Sequence, residues 1–226
     1  MPIARSTLAG ISTGIVLLAG AAGFGIGLPK VIDEPDAVAA GEVPTLPDRL
    51  DDRMISLSAL TPENTGVSTA ELVTAISEGA INSVESDDET TAALADIYGA
   101  ASVRTYIDAA ALGQTMETQD GSIATGQLVV TVIPDGGLAA LPRGPYVVDS
   151  SGVKYEPTEI DGHPCAVSEI YVDQQTGQPI EGDIPAINYS VECRGQSNGL
   201  GYVVSSAAML PEEVAAYLEL VMEQTS

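Results

Sequence analysis

Tryptophan is absent, phenylalanine occurs once (Phe24), histidine occurs once (His163), and lysine and arginine together number 8 against 32 acids. Each scarcity excludes something. With so few aromatics, a core has to rest on Val, Ile, Leu, Ala and the eight tyrosines. A single histidine removes any His-based metal cluster and leaves His163 as the one imidazole that a Ser-His-acid arrangement could use. The scarcity of positive charge is uneven. Residues 1–30 hold Arg5 and Lys30 and no acid, so the rest of the chain carries all 32 acids against 6 bases, a net charge of −26. A surface of that sign repels phosphate backbones, which excludes nucleic acid as a partner.

What is present begins with Leu8–Leu28, a run of 21 residues without a charge. About 20 apolar residues are enough to cross a bilayer core as a helix. Arg5 and the terminal amine precede the run and Asp33, Glu34 and Asp36 follow it, which favours an N-terminus inside and the remainder outside. Residues 1–7 are then a short cytoplasmic end, 8–28 a transmembrane anchor in contact with lipid, and everything beyond Pro29 exported. The alternative is a cleaved leader ending at Ala37-Val38-Ala39, followed by secretion. The run exceeds an ordinary leader core and stands well apart from that site, so the anchor is the expected reading. Gly10-x3-Gly14 and Gly23-x3-Gly27, with Ala19 one turn earlier, have the spacing of a helix-mediated homodimer in a membrane, a pattern also common by chance.

The two cysteines, Cys165 and Cys193, both fall in the exported part. An even pair in an oxidising compartment reads as a disulfide. Closing a loop of that length contributes roughly 3–4 kcal/mol. A redox pair would place its cysteines closer together, and a zinc site would lack ligands.

Residues 29–66 read as a proline-bearing linker, within which Arg49–Leu60 could pack as a strand or a turn of helix. Residues 67–226 form the expected folded domain, of α+β class. Ser68-Thr-Ala-Glu71 is a capping box that opens a helix to about Val84, with Val67 and Leu72 as its staple. Ser86-Asp-Asp-Glu89 is a second box, opening a second helix that Gly99 stops. Alternation over Val103–Ile107, the apolar run Gln127–Ile133, Tyr146–Asp149 with Val153–Tyr155 about Ser150-Ser-Gly152, Cys165–Asp173, Ile184–Cys193 and Gly201–Ser206 then read as strands. A last helix opens at Pro211, its acids Glu212 and Glu213 matching the positive end of the helix dipole. The expected architecture is one antiparallel sheet packed with two N-terminal helices and one C-terminal helix.

No catalytic, cofactor-binding or metal-binding residue follows from the motifs. Gly10-Ile-Ser12-Thr-Gly14 matches the hydrolase elbow pattern but sits in the apolar run rather than on a strand-turn-helix. His163, in Asp161-Gly-His-Pro164, reads as a turn residue. The acid groups Asp51-Asp52, Asp87-Asp88-Glu89 and Glu212-Glu213 match no calcium loop and are explained as helix starts and solvated surface. Asp135-Gly136 and Asp161-Gly162 are turn chemistry. Asn188-Tyr-Ser190 is a glycosylation sequon in form only. The expectation is a non-enzymatic, membrane-anchored envelope protein with an extracytoplasmic protein-interaction domain, an accessory subunit of a membrane complex. Its rivals are a small-ligand or cell-wall binding domain, whose pocket would use tyrosines and Arg104, and an acid-pair hydrolase.

Overall fold

A computed structural model of the chain describes residues 42–119, 123–134, 148–150, 152–173 and 176–226. The anchor over 8–28, the leader site at Ala37–Ala39, the glycine pairs, Ser12 and Asp135-Gly136 lie outside them. Among the described residues no helix is long and apolar enough to cross a membrane.

The elements are β1 (Met54–Ser56), α1 (Pro62–Thr65), α2 (Ala70–Tyr98), β2 (Ser102–Asp108), α3 (Ala109–Thr118), β3 (Gln127–Pro134), β4 (Val148–Ser150), β5 (Val153–Ile160), β6 (His163–Ile170), β7 (Tyr189–Ser197), β8 (Leu200–Ala207) and α4 (Pro211–Gln224). The strands make one antiparallel sheet in the order β1-β2-β3-β8-β7-β6-β5-β4. The α+β class and the antiparallel sheet are as expected. Two of its hairpins turn on residue pairs with positive φ, Asp161-Gly162 and Asn198-Gly199. This is the two-residue turn whose twist matches that of the flanking strands.

Register fixes which side chains share a face. Met54, Tyr106, Leu128, Val130, Val204, Tyr202, Cys193, Val191 and Cys165 fall on one face and are buried in a common core with Val214, Leu218 and Val221 of α4. Alternation puts Ile55 and Ile107 on the opposite face. There they join Leu57, Leu60, Val67, Ile76 and Leu112 in a second, smaller core beneath the start of α2 and α3. The sheet therefore divides two cores. Cys165 and Cys193 are directly opposed across β6 and β7, with their Cα atoms 4.1 Å apart, and form the expected disulfide at the open end of that hairpin.

Two expectations are corrected. The first is the pair of N-terminal helices, which are one continuous helix of 29 residues. Its N-cap is Thr69, one residue beyond the Ser68 of the expected box, and Ser86-Asp-Asp-Glu89 lies in its interior. The second box does not open a helix because Asp87 serves a strand instead. Its two carboxylate oxygens accept from the Thr105 N–H at 2.9 Å and the Thr105 hydroxyl at 2.8 Å. The second correction concerns the linker. From residue 42 onward the chain is part of the fold: Leu46 and Leu50 are buried in the larger core, Met54–Ser56 pair with β2, and Leu57 and Leu60 enter the smaller core. An extended strap with isolated anchoring leucines has no helical or strand period to betray it.

Candidate functional site

Alternation along β5 places Lys154, Glu156, Thr158 and Ile160 on the face that α4 covers further along, beside Val167 and Glu169 of β6. Helix α4 lies across β7 and β8. Where it starts, the β5–β6 hairpin, Tyr189, Pro211 and Glu212 enclose an open cleft of about 520 Å³. The lining is acidic, with Glu156, Glu159, Asp161, Glu169 and Glu212 against Lys154. That lysine is committed, its Nζ lying 2.5 Å from Glu156, whose hydrogen bond and charge push the ammonium pKa up. Burial pushes the Tyr189 hydroxyl up, and the charge of Glu169 and its hydrogen bond with that hydroxyl act the same way. Among the described residues no cation lies within ion-pairing distance of Glu159, Asp161 or Glu212. Below the cleft, His163 Nε2 faces Glu219 Oε1 of α4 at 3.5 Å.

A second polar cluster ties the strap to the domain. Arg53 Nε donates to Asp108 Oδ2 at 2.5 Å and Arg53 Nη1 to Glu213 Oε1 at 2.7 Å. Asp51 accepts from the Met54 N–H, the Arg53 N–H and the Tyr217 hydroxyl at 2.6, 2.9 and 2.7 Å. Burial pushes Asp51 up, but those three hydrogen bonds and the charge of Arg53 outweigh it and hold the carboxyl below its ordinary range. The Tyr217 hydroxyl is pushed well up, first by burial and then by its bond to Asp51. Arg53 is held still more firmly protonated, chiefly by its bond to Asp108. Each carboxylate here has its partner, and the shifts of Asp51, Tyr217 and Arg53 all lead away from neutrality, so the cluster is a clamp.

Of the acid groups singled out in the sequence, the structure brings Asp51 and Glu213 into this one clamp and sends Glu212 to the cleft. Asp87 lies apart, on the face of α2 turned to β2. Arg104 pairs with Asp48 of the strap at 2.5 Å and is not among the residues that line the cleft. Asn188 spends its side-chain N–H on the Ile170 carbonyl at 2.8 Å. Among the described residues no three His, Cys, Asp or Glu side chains form a metal-binding group. Sequence reading missed the cleft residues Thr158, Glu169 and Tyr189. The available signal was period two from Lys154 to Ile160, obscured by Pro157 in the middle of the run. No family model, characterised protein or solved structure matches the chain.

Proposed function

We propose that this chain is a non-enzymatic envelope protein, anchored by residues 8–28, whose exported domain binds another protein through the cleft between the β5–β6 hairpin and the start of α4. The cleft carries the reading: it is open and strongly acidic, and its one lysine is already paired with Glu156. Its shape and charge suit a positively charged segment of a neighbouring polypeptide. The Cys165–Cys193 bridge supports a location outside the reducing cytosol. An accessory subunit of a membrane complex combines these features. The convergence of Tyr189 and Glu169 in the cleft favours one second reading, a small polar ligand.

The test is to place a photo-cross-linking residue at Thr158 in the full chain, solubilise native membranes gently and separate the products on a native gel. A large assembly carrying a protein adduct at Thr158 is the expected result. Migration as a monomer or dimer with no adduct rejects the reading and turns the search to small ligands. Recovery of the protein from the medium, beginning at Ala40, rejects the anchor alone.

A further inference from the structure

The outer edge of β2 is covered in two ways. Ile55 of β1 pairs with Ile107, and β1 ends at the pairing of Ser56 with Tyr106. The next outward amides, those of Thr105 and Val103, have no strand beyond them among the described residues. Helix α2 satisfies them with side chains. Thr105 N–H donates to Asp87 Oδ2 at 2.9 Å, and Val103 N–H donates to Thr91 Oγ1 at 3.0 Å. The match is geometric: four residues of helix rise about 6.0 Å and two residues of strand about 6.6–6.8 Å. Acceptors at i and i+4 on an antiparallel helix therefore meet successive outward amides of a strand.

The helix that does this is weakly held. Across its 29 residues only Ile76, Ser83, Asp87 and Leu94 are buried, and two of these are polar. It carries Glu71, Glu78, Glu85, Asp87, Asp88, Glu89 and Asp96 with no lysine or arginine, so its charges repel one another along the axis. Gly79 and four serines and threonines between Ser83 and Thr91 lower its intrinsic helicity further. Ile81 and Ile97 are 70% and 52% exposed. The N-terminal turns are the better anchored, since Leu72, Val73 and Ile76 pack on the smaller core.

We propose that residues 80–98 of α2 are a gate that lifts from the β2 edge as one unit while the sheet stays folded, baring the backbone of Ser102–Thr105. Few buried apolar contacts are the mark of a segment that opens below the global unfolding free energy. The opened edge offers two adjacent outward N–H donors, the feature to which extended polypeptides add as a strand. The gate decides when that edge is available, and it is independent of the cleft reading.

Native-state hydrogen exchange on the full chain in detergent micelles tests it. The amides of Val103 and Thr105 are expected to exchange together with those of residues 80–98, about tenfold or more faster than Val130 and Val204. Exchange of Val103 and Thr105 in step with Val130 and Val204 overturns the proposal. The variant Thr91→Val removes one latch with little change of shape. It is expected to speed exchange at Val103 and Thr105 severalfold and leave Val130 and Val204 as they were. A uniform change, or none, overturns the gate.

Discussion

Asp51 is held by two backbone N–H groups and a side-chain hydroxyl, Asp87 by one of each, and they respond to pH with opposite sign. For Asp51 the bonds and the neighbouring Arg53 outweigh burial and its pKa falls. For Asp87 burial comes first and outweighs the two bonds from Thr105 and the more distant charge of Arg104, with Asp88 adding to the rise. A carboxyl lowered on folding contributes stability above its unfolded pKa and loses it as pH falls through the folded value. One that is raised on folding does the reverse: its contribution is full in acid and is lost as pH rises through the folded value. Urea denaturation over a pH series separates them. Asp51→Asn is expected to destabilise the protein at neutral pH by an amount that disappears below the ordinary carboxylate range. Asp87→Asn, which keeps an acceptor for the Thr105 N–H without a buried charge, is expected to stabilise at neutral pH and to converge on the parent in acid. A common sign for the two variants would contradict the structure. The same residue shows why local reading went astray. Ser86-Asp-Asp-Glu89 has the composition of a helix start because short acidic side chains bind free backbone N–H groups. Nothing local says that the N–H in question belongs to a strand 18 residues away.

At the scale of elements, strands were the more legible. Val103–Ile107 and Gln127–Ile133 announce themselves by alternation or by β-branched runs, and the closing helix by its apolar stripe and its proline. Asn198-Gly199 carried an equally strong hairpin signal that the strand assignments passed over. Helix α3 was missed for a physical reason. Asp108 is at once the last residue of β2 and the N-cap of α3, its Oδ1 accepting from the Ala111 N–H at 2.9 Å, so no loop separates the two patterns. Packing of α3 on α1 depends on Gly113. A Cβ there would lie 1.7 Å from the Thr65 carbonyl oxygen, where backbone rather than a movable side chain is in the way. Gly79 in α2 has open space around the same position. Gly113→Ala is therefore expected to lower the unfolding free energy by about 1–3 kcal/mol, as forced overpacking does. Gly79→Ala is expected to raise it by about 0.5–1 kcal/mol through helix propensity alone. Chemical denaturation of the two variants reads both signs directly.

At the scale of the whole molecule, the sequence placed the disulfide, the sheet and the closing helix, but drew the domain boundary at least 20 residues too late, since Leu46 is already buried in the core. Prolines 44 and 47 and the mixed charges suggested a linker, whereas six buried apolar side chains lie ahead of Val67 among the described residues: Leu46, Leu50, Met54, Ile55, Leu57 and Leu60. At about 1.5–3 kcal/mol for each, their loss is as large as the roughly 5–15 kcal/mol by which an ordinary domain is stable. A chain beginning at Val67 is expected to be unfolded by circular dichroism and one beginning at Glu42 to melt cooperatively; a folded Val67 form would show the strap to be dispensable. The strap also sets a length. With residues 8–28 in the bilayer as proposed, at most 13 residues separate the membrane from the fold, which includes Leu46, in place of the 38 of the expected linker. Fully extended, 13 residues span no more than about 47 Å and 38 residues about 137 Å. The domain is thus on a short leash, its point of attachment held within that distance of the lipid surface, which favours partners that themselves sit at the membrane.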